Sequence, residues 1–180
     1  MKKVIKELEK TIDKISGSLL CIGLNNEYLI KKIKDNTNII YCDLLNANVE
    51  SGLKLGKKRK KHEKSISIKD FRKHYKKKKI NYVISNISDI NPYLPRFIPD
   101  SIYITNSVIY IYGNINFDYE KVIKKYRRYT NKIETIVAND MFFIKVDVGN
   151  TRNSFFKDKI YFIIDNLEVF ADKIGDILVG

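Results

Sequence analysis

The chain contains no tryptophan, and only two cysteines, two histidines, three prolines and three alanines among its 180 residues. Each scarcity closes a class of explanation. Cys21 and Cys42 are too few for a disulfide framework, and both fall near the ends of apolar runs, where reduced buried thiols of a cytosolic protein belong. His62 and His74 stand among lysines, with no cysteine or carboxylate cluster beside them, so no metal site is expected. Pro92, Pro95 and Pro99 are confined to one stretch, leaving the rest of the chain free to form regular structure. Long apolar runs are also lacking: the stretch around Ile160 to Ile164 falls far short of the roughly 18 to 20 residues that a membrane span requires. The opening Met1-Lys2-Lys3-Val4 leads into charges every few residues rather than an apolar segment with a cleavage site. A cytoplasmic domain is the expectation.

What is present is enough apolar material, 44% of residues, to bury one sizeable core. Val4, Ile5, Leu8, Ile12 and Ile15 repeat at helical spacing, predicting a leading amphipathic helix over 2–15 that stops at Gly17. Short apolar runs at 18–22, 39–42, 65–69 and 82–85 read as strands, with helices over 27–34 and 71–78. Residues 46–64 have no usable apolar period and read as a basic insertion, looped or frayed. The three prolines predict an irregular segment over 89–100, followed by extended chain at 102–104 and 108–112. Asp118 is a helix cap before Tyr119, Val122, Ile123 and Tyr126. Runs at 134–137 and 141–148 flank Asn139-Asp140 and predict an antiparallel edge hairpin. Phe156, Ile160, Ile163, Leu167, Phe170, Ile174 and Ile177 form a seven-residue seam, so 151–180 reads as a long helix, packed on the domain of residues 1–150 or used as a homodimer seam.

Four of the runs end at residues suited to a ligand. Ser18–Ile22 stops at Gly23, Ile39–Cys42 at Asp43, Ser65–Lys69 at Asp70, and Tyr82–Ser85 at Asn86. In open parallel sheets ligands sit outside the carboxyl ends of the strands, so these four ends would converge on one crevice. Gly23 lies between a strand and a helix, where the backbone approaches a ligand closely. Asp43 follows it by 20 residues, the interval that separates the first glycine from the ribose-binding acid in dinucleotide folds. Asp70 could accept from an adenine amino group or merely cap the following helix.

This order of Gly23, Asp43, Asp70 and Asn86, with the late hairpin, resembles the class I S-adenosylmethionine-dependent methyltransferases over roughly residues 1–150. The resemblance implies a Rossmann-like α/β fold, mostly parallel, with seven strands in the order 3-2-1-4-5-7-6 and the last one antiparallel. It implies S-adenosylmethionine as cofactor, with Gly23 and Asn25 in its loop, Asp43 on the ribose and Asp70 on the adenine. Asn86 and Asp89 would face the transferred methyl group. Three positions depart from the pattern. Cys21 stands where an acid is usual, and Asn25 and Glu27 replace loop glycines. Asn91-Pro92-Tyr93 is similar to the motif of enzymes that methylate nucleic-acid amino groups, but begins five residues beyond Asn86.

Charge supplies the partner. Residues 54–79 hold 14 of the 34 basic residues and 2 of the 21 acids, so this segment carries +12 of the +13 net charge. Lys57, Lys58, Arg59, Lys60 and Lys61, with Arg72 and Lys73, could neutralise several phosphates. The run lacks the interleaved large apolar residues of a membrane-surface helix. The family resemblance favours RNA. Two functions are therefore expected to compete: a small RNA methyltransferase, and a catalytically inactive methyltransferase-like protein that retains nucleic-acid binding.

Overall fold

The computed structural model describes residues 2–22, 37–45, 63–67, 72, 75, 77–149, 160, 161, 163, 164 and 167. Seven strands form one sheet: β1 (Gly17–Ile22), β2 (Thr37–Leu45), β3 (Glu63–Ser67), β4 (Ile80–Asn86), β5 (Thr105–Asn114), β6 (Ile133–Ala138) and β7 (Met141–Asp147). Their order is β3-β2-β1-β4-β5-β7-β6. All neighbours from β3 to β5 are parallel, and β7 lies antiparallel between β5 and β6. The two-residue Asn139-Asp140 turn forces that reversal, since only antiparallel strands can be joined so tightly. Asn139 takes a φ of 56°, which asparagine tolerates better than most residues.

A sheet covered on both faces needs strands that are apolar on both, and β1 is one: Leu19, Leu20, Cys21 and Ile22 are all buried. Alternation sorts them into two cores. Leu19 and Cys21 join Val4, Ile15, Ile84, Tyr110, Tyr112 and Phe143 on the face covered by helix α1 (Lys2–Lys14), which packs on β6 and β7. Leu20 and Ile22 join Val83, Ile87, Phe97, Ile109, Val122, Tyr126 and Phe142 on the other. There the cover comes from α2 (Ile87–Ile90), α3 (Leu94–Ile104) and α4 (Tyr119–Arg127). Asp118 caps α4 as predicted, accepting from the Lys121 N–H at 2.8 Å.

The proline-rich segment corrects the sequence expectation. Residues 87–104 are α2, a 3-10 turn over Asn91–Tyr93 and α3, rather than irregular chain followed by extended residues at 102–104. Pro95 falls in the first turn of α3, where a missing N–H costs nothing. Pro99 removes one interior hydrogen bond, which the burial of Phe97, Ile98, Pro99, Ile102 and Ile104 offsets. Glu63 and Lys64 belong to β3 rather than to a loop, and residues 68–69 of the predicted run lie outside the described residues. Lys77 and Lys78 form a turn, so no helix reaches Lys78.

The predicted helix over 27–34 and nearly all of 46–64 lie outside the described residues. So does most of the C-terminal seam, and a long helix is not described there. Ile160, Ile163, Ile164 and Leu167 are helical and 38 to 62% exposed.

Candidate cofactor crevice

Strand register places two of the predicted site residues, Asp43 and Asn86, beside the end of β1. Ile22, the last residue of β1, lies opposite Cys42 of β2 and Ser85 of β4. Asp43 and Asn86 therefore stand one step beyond the end of β1, on either side of it, about 10 Å apart at two strand spacings. Asp43 is not itself a strand terminus, because β2 continues to Leu45 and Asp43 pairs with Ser65 of β3. Gly23, Asn25 and Asp70 lie outside the described residues, as do Lys57, Lys58, Arg59, Lys60, Lys61 and Lys73.

Asn86 is occupied by structure. Its Oδ1 accepts from the Ser88 N–H at 3.1 Å and the Ser88 hydroxyl at 3.0 Å, capping α2. Tyr112 on β5 is its register partner. Asp89, in the first turn of α2, brings negative charge toward the Tyr112 phenol. Burial, the Asp89 carboxylate and Cys21 together push the Tyr112 pKa well up, against the opposing influence of the Asn86 amide. Tyr112 is the residue that sequence reasoning missed: inside an apolar run it reads as core, and only its pairing with Asn86 reveals it at the crevice.

Two further groups define the chemistry here. Among the described residues, the hydroxyl of Ser85, fully buried next to the last position of β4, meets no hydrogen-bond partner, whereas buried polar groups are normally satisfied. Cys21 is 1% exposed and its thiol is pushed far up by burial, so the position carries no charge at neutral pH. Next door, a Cβ at Gly113 would collide with Ile87, which explains glycine at the point where β5 passes beneath α2.

Arg72 contributes to a different assembly. Its Nε pairs with Asp100, which is 3% exposed, and its guanidinium lies 4.9 Å from the centre of the Tyr103 ring. Arg96 approaches the same carboxylate at 3.7 Å. Among the described residues no group of three or more metal-ligating side chains occurs, and no helix is long and apolar enough to cross a membrane.

No protein-family model matches the chain, and no curated protein matches it in sequence. Solved structures do match. A 16S rRNA N2 methyltransferase from T. thermophilus, solved with AdoMet and guanosine, superposes with a TM-score of 0.57 at 10% identity, over 84% of this chain and 40% of that one. This chain thus spans two fifths of that protein's length. The fold is that of the class I S-adenosylmethionine-dependent methyltransferases. A methyltransferase-like structure named as a ribosomal RNA methyltransferase from Plasmodium falciparum matches at 0.51 and 13% identity, over 84% of this chain and 97% of its own. The spermidine synthase of Thermotoga maritima matches at 0.52 and 13%, over 79% and 56%. One sheet thus serves proteins named for different reactions, and the activity must be argued from the site.

Proposed function

We propose that the protein is an S-adenosylmethionine-dependent methyltransferase acting on RNA. The observation that carries this reading is the register at the crevice, where Asp43 and Asn86 flank the end of β1. A carboxylate at Asp43 accepts both ribose hydroxyls of a nucleoside cofactor, and Gly23 lets the chain pass close to it. Asn25 and Asp70 complete the cofactor contacts in this reading, while Asn86 and Asp89 line the path of the methyl group. When bound, S-adenosylmethionine supplies an electrophilic methyl. The chain's own task is to orient the acceptor and exclude water.

RNA is the substrate class that fits the +12 segment over 54–79, in which Lys57, Lys58, Arg59, Lys60, Lys61 and Lys73 meet phosphates. Transfer of labelled methyl from S-adenosylmethionine to RNA tests the proposal, and loss of transfer in Asp43→Ala is the expected result. A second reading has its own support. The Asn86 side chain is engaged by Ser88, and Cys21 places a neutral thiol where a charged acid is usual. Cofactor binding without transfer would mean an inactive methyltransferase-like RNA-binding protein.

A further inference from the structure

The loops that enter the parallel strands from below bring together basic residues from segments far apart in sequence. Lys77, Lys78 and Lys79 immediately precede β4. Arg127 ends α4, Arg128 and Lys132 lie between it and β6, and Lys14 ends α1 just before β1. Because β1, β4 and β6 all run in one direction, these residues share the amino-terminal edge of the sheet. Lys14, Lys77, Lys79, Arg127 and Lys132 are exposed.

Hydrogen bonds fix the loops to one another. The Lys78 ammonium donates to the Val148 carbonyl at 3.2 Å, and the adjacent Asp147 N–H donates to the Lys132 carbonyl at 3.0 Å. The Lys78 N–H reaches the Tyr103 carbonyl at 3.0 Å, and the Ser18 hydroxyl reaches the Lys79 carbonyl at 3.3 Å. Lys78 itself takes a φ of 52°, a left-handed conformation costly for a residue with a side chain. Burial and the charge of Lys77 both lower its pKa, so the cations crowd one another. Among the described residues the acids at this edge are Asp13, exposed at the end of α1, Glu134, the second residue of β6, which pairs with Lys145 at 2.7 Å, and Asp147, whose carboxylate accepts from the Gly149 N–H at 3.0 Å. They leave a basic surplus.

We infer that this amino-terminal edge, centred on Lys77, Lys79, Arg127 and Lys132, is a phosphate-binding surface that anchors RNA on the side of the sheet opposite the cofactor crevice. The starts of β4 and β6 are separated by three strand spacings, about 14 Å, wide enough to meet several phosphates. The seven residues of β4 put this edge about 20 Å from Asn86. RNA held here is anchored outside the target nucleotide, so binding and cofactor capture are separable. The inference rests on the RNA reading above for its partner, but not on catalysis. Its residues are distinct from the Lys57–Lys61 run.

The test is fluorescence anisotropy of the full chain with a labelled single-stranded RNA, over a range of salt and without cofactor. Lys77→Gln, Lys79→Gln, Arg127→Gln and Lys132→Gln combined should weaken binding at least tenfold. They should also flatten the plot of log affinity against log salt by about 3 units, at about 0.7 per charge removed. The fourfold variant should bind S-adenosylmethionine as the parent does, which separates this surface from the crevice. An unchanged urea midpoint for the fourfold variant confirms that the fold is intact, these side chains being exposed. Parent-like affinity and slope in that variant would overturn the inference. So would RNA binding unaffected by the changes while binding to phosphatidylserine vesicles is lost, because the edge would then be a membrane surface.

Discussion

Asn86 and Tyr112 are register partners on β4 and β5, and Asn86 Oδ1 caps the first turn of α2 by accepting from the Ser88 N–H and hydroxyl. One side chain thereby ties the end of β4 to the helix that follows it. Asn86→Ala removes this cap and should cost about 1 kcal/mol. Tyr112→Phe keeps both the cap and the buried ring, and should cost less. Urea midpoints of the two variants check this ordering, and equal losses would show that the cap contributes nothing.

Gly113 and Ile87 are a packed pair. Gly113→Ala should destabilise by about 1 to 3 kcal/mol, because its methyl must displace the fully buried Ile87 side chain. Ile87→Ala alone should cost about 2 to 5 kcal/mol through the cavity it leaves. Combined, the new methyl occupies part of that cavity, so the double variant should lose less than the sum. Strict additivity in chemical denaturation would contradict the packing described.

Burial raises the phenols of Tyr110, Tyr112 and Tyr126 and the thiol of Cys21, with Tyr110 pushed up to about 12. Folded-state values above the unfolded ones mean that this stability is complete below about pH 9 and declines as pH rises through 10 and beyond. Tyr126→Phe removes one such group, so its decline between pH 9 and 11.5 should be shallower than the parent's. At pH 8 the same variant should be weaker by about 1 kcal/mol, because the 3.0 Å contact between Tyr126 and Ser101 is lost. Denaturation curves at pH 8, 9 and 11.5 check both outcomes.

Leu167 is 62% exposed, so Leu167→Glu should leave the urea midpoint within about 0.5 kcal/mol of the parent. Unfolding would instead place the seam in the domain's own core. Sedimentation of the same variant reports on the homodimer reading, in which the parent associates and the variant does not.

Much of the sheet was legible because its signals are local. The strand runs ending near Asp43 and Asn86, the Asp118 cap and the Asn139-Asp140 turn each depend on residues within a few positions. The segment from Ile87 to Ile104 was not, because its prolines oppose helix while long-range burial of Phe97, Ile98 and Ile102 against the sheet favours it. Strand ends were misplaced at β2 and β3 for a related reason: inter-strand pairing carries them past the apolar run in β2 and begins β3 among charged residues. Tyr112 and the basic edge were invisible for a third reason. Both are made by residues that only the register and crossovers bring side by side.

The most direct measurement is calorimetric titration of the full chain with S-adenosylmethionine. The parent should bind, and Asp43→Ala should weaken binding about tenfold or more, as expected for a carboxylate hydrogen-bonded to ribose hydroxyls at about 1.5 to 3 kcal/mol. An absence of heat from the parent at millimolar ligand, or equal affinity in Asp43→Ala, would contradict a cofactor crevice at the ends of β1, β2 and β4.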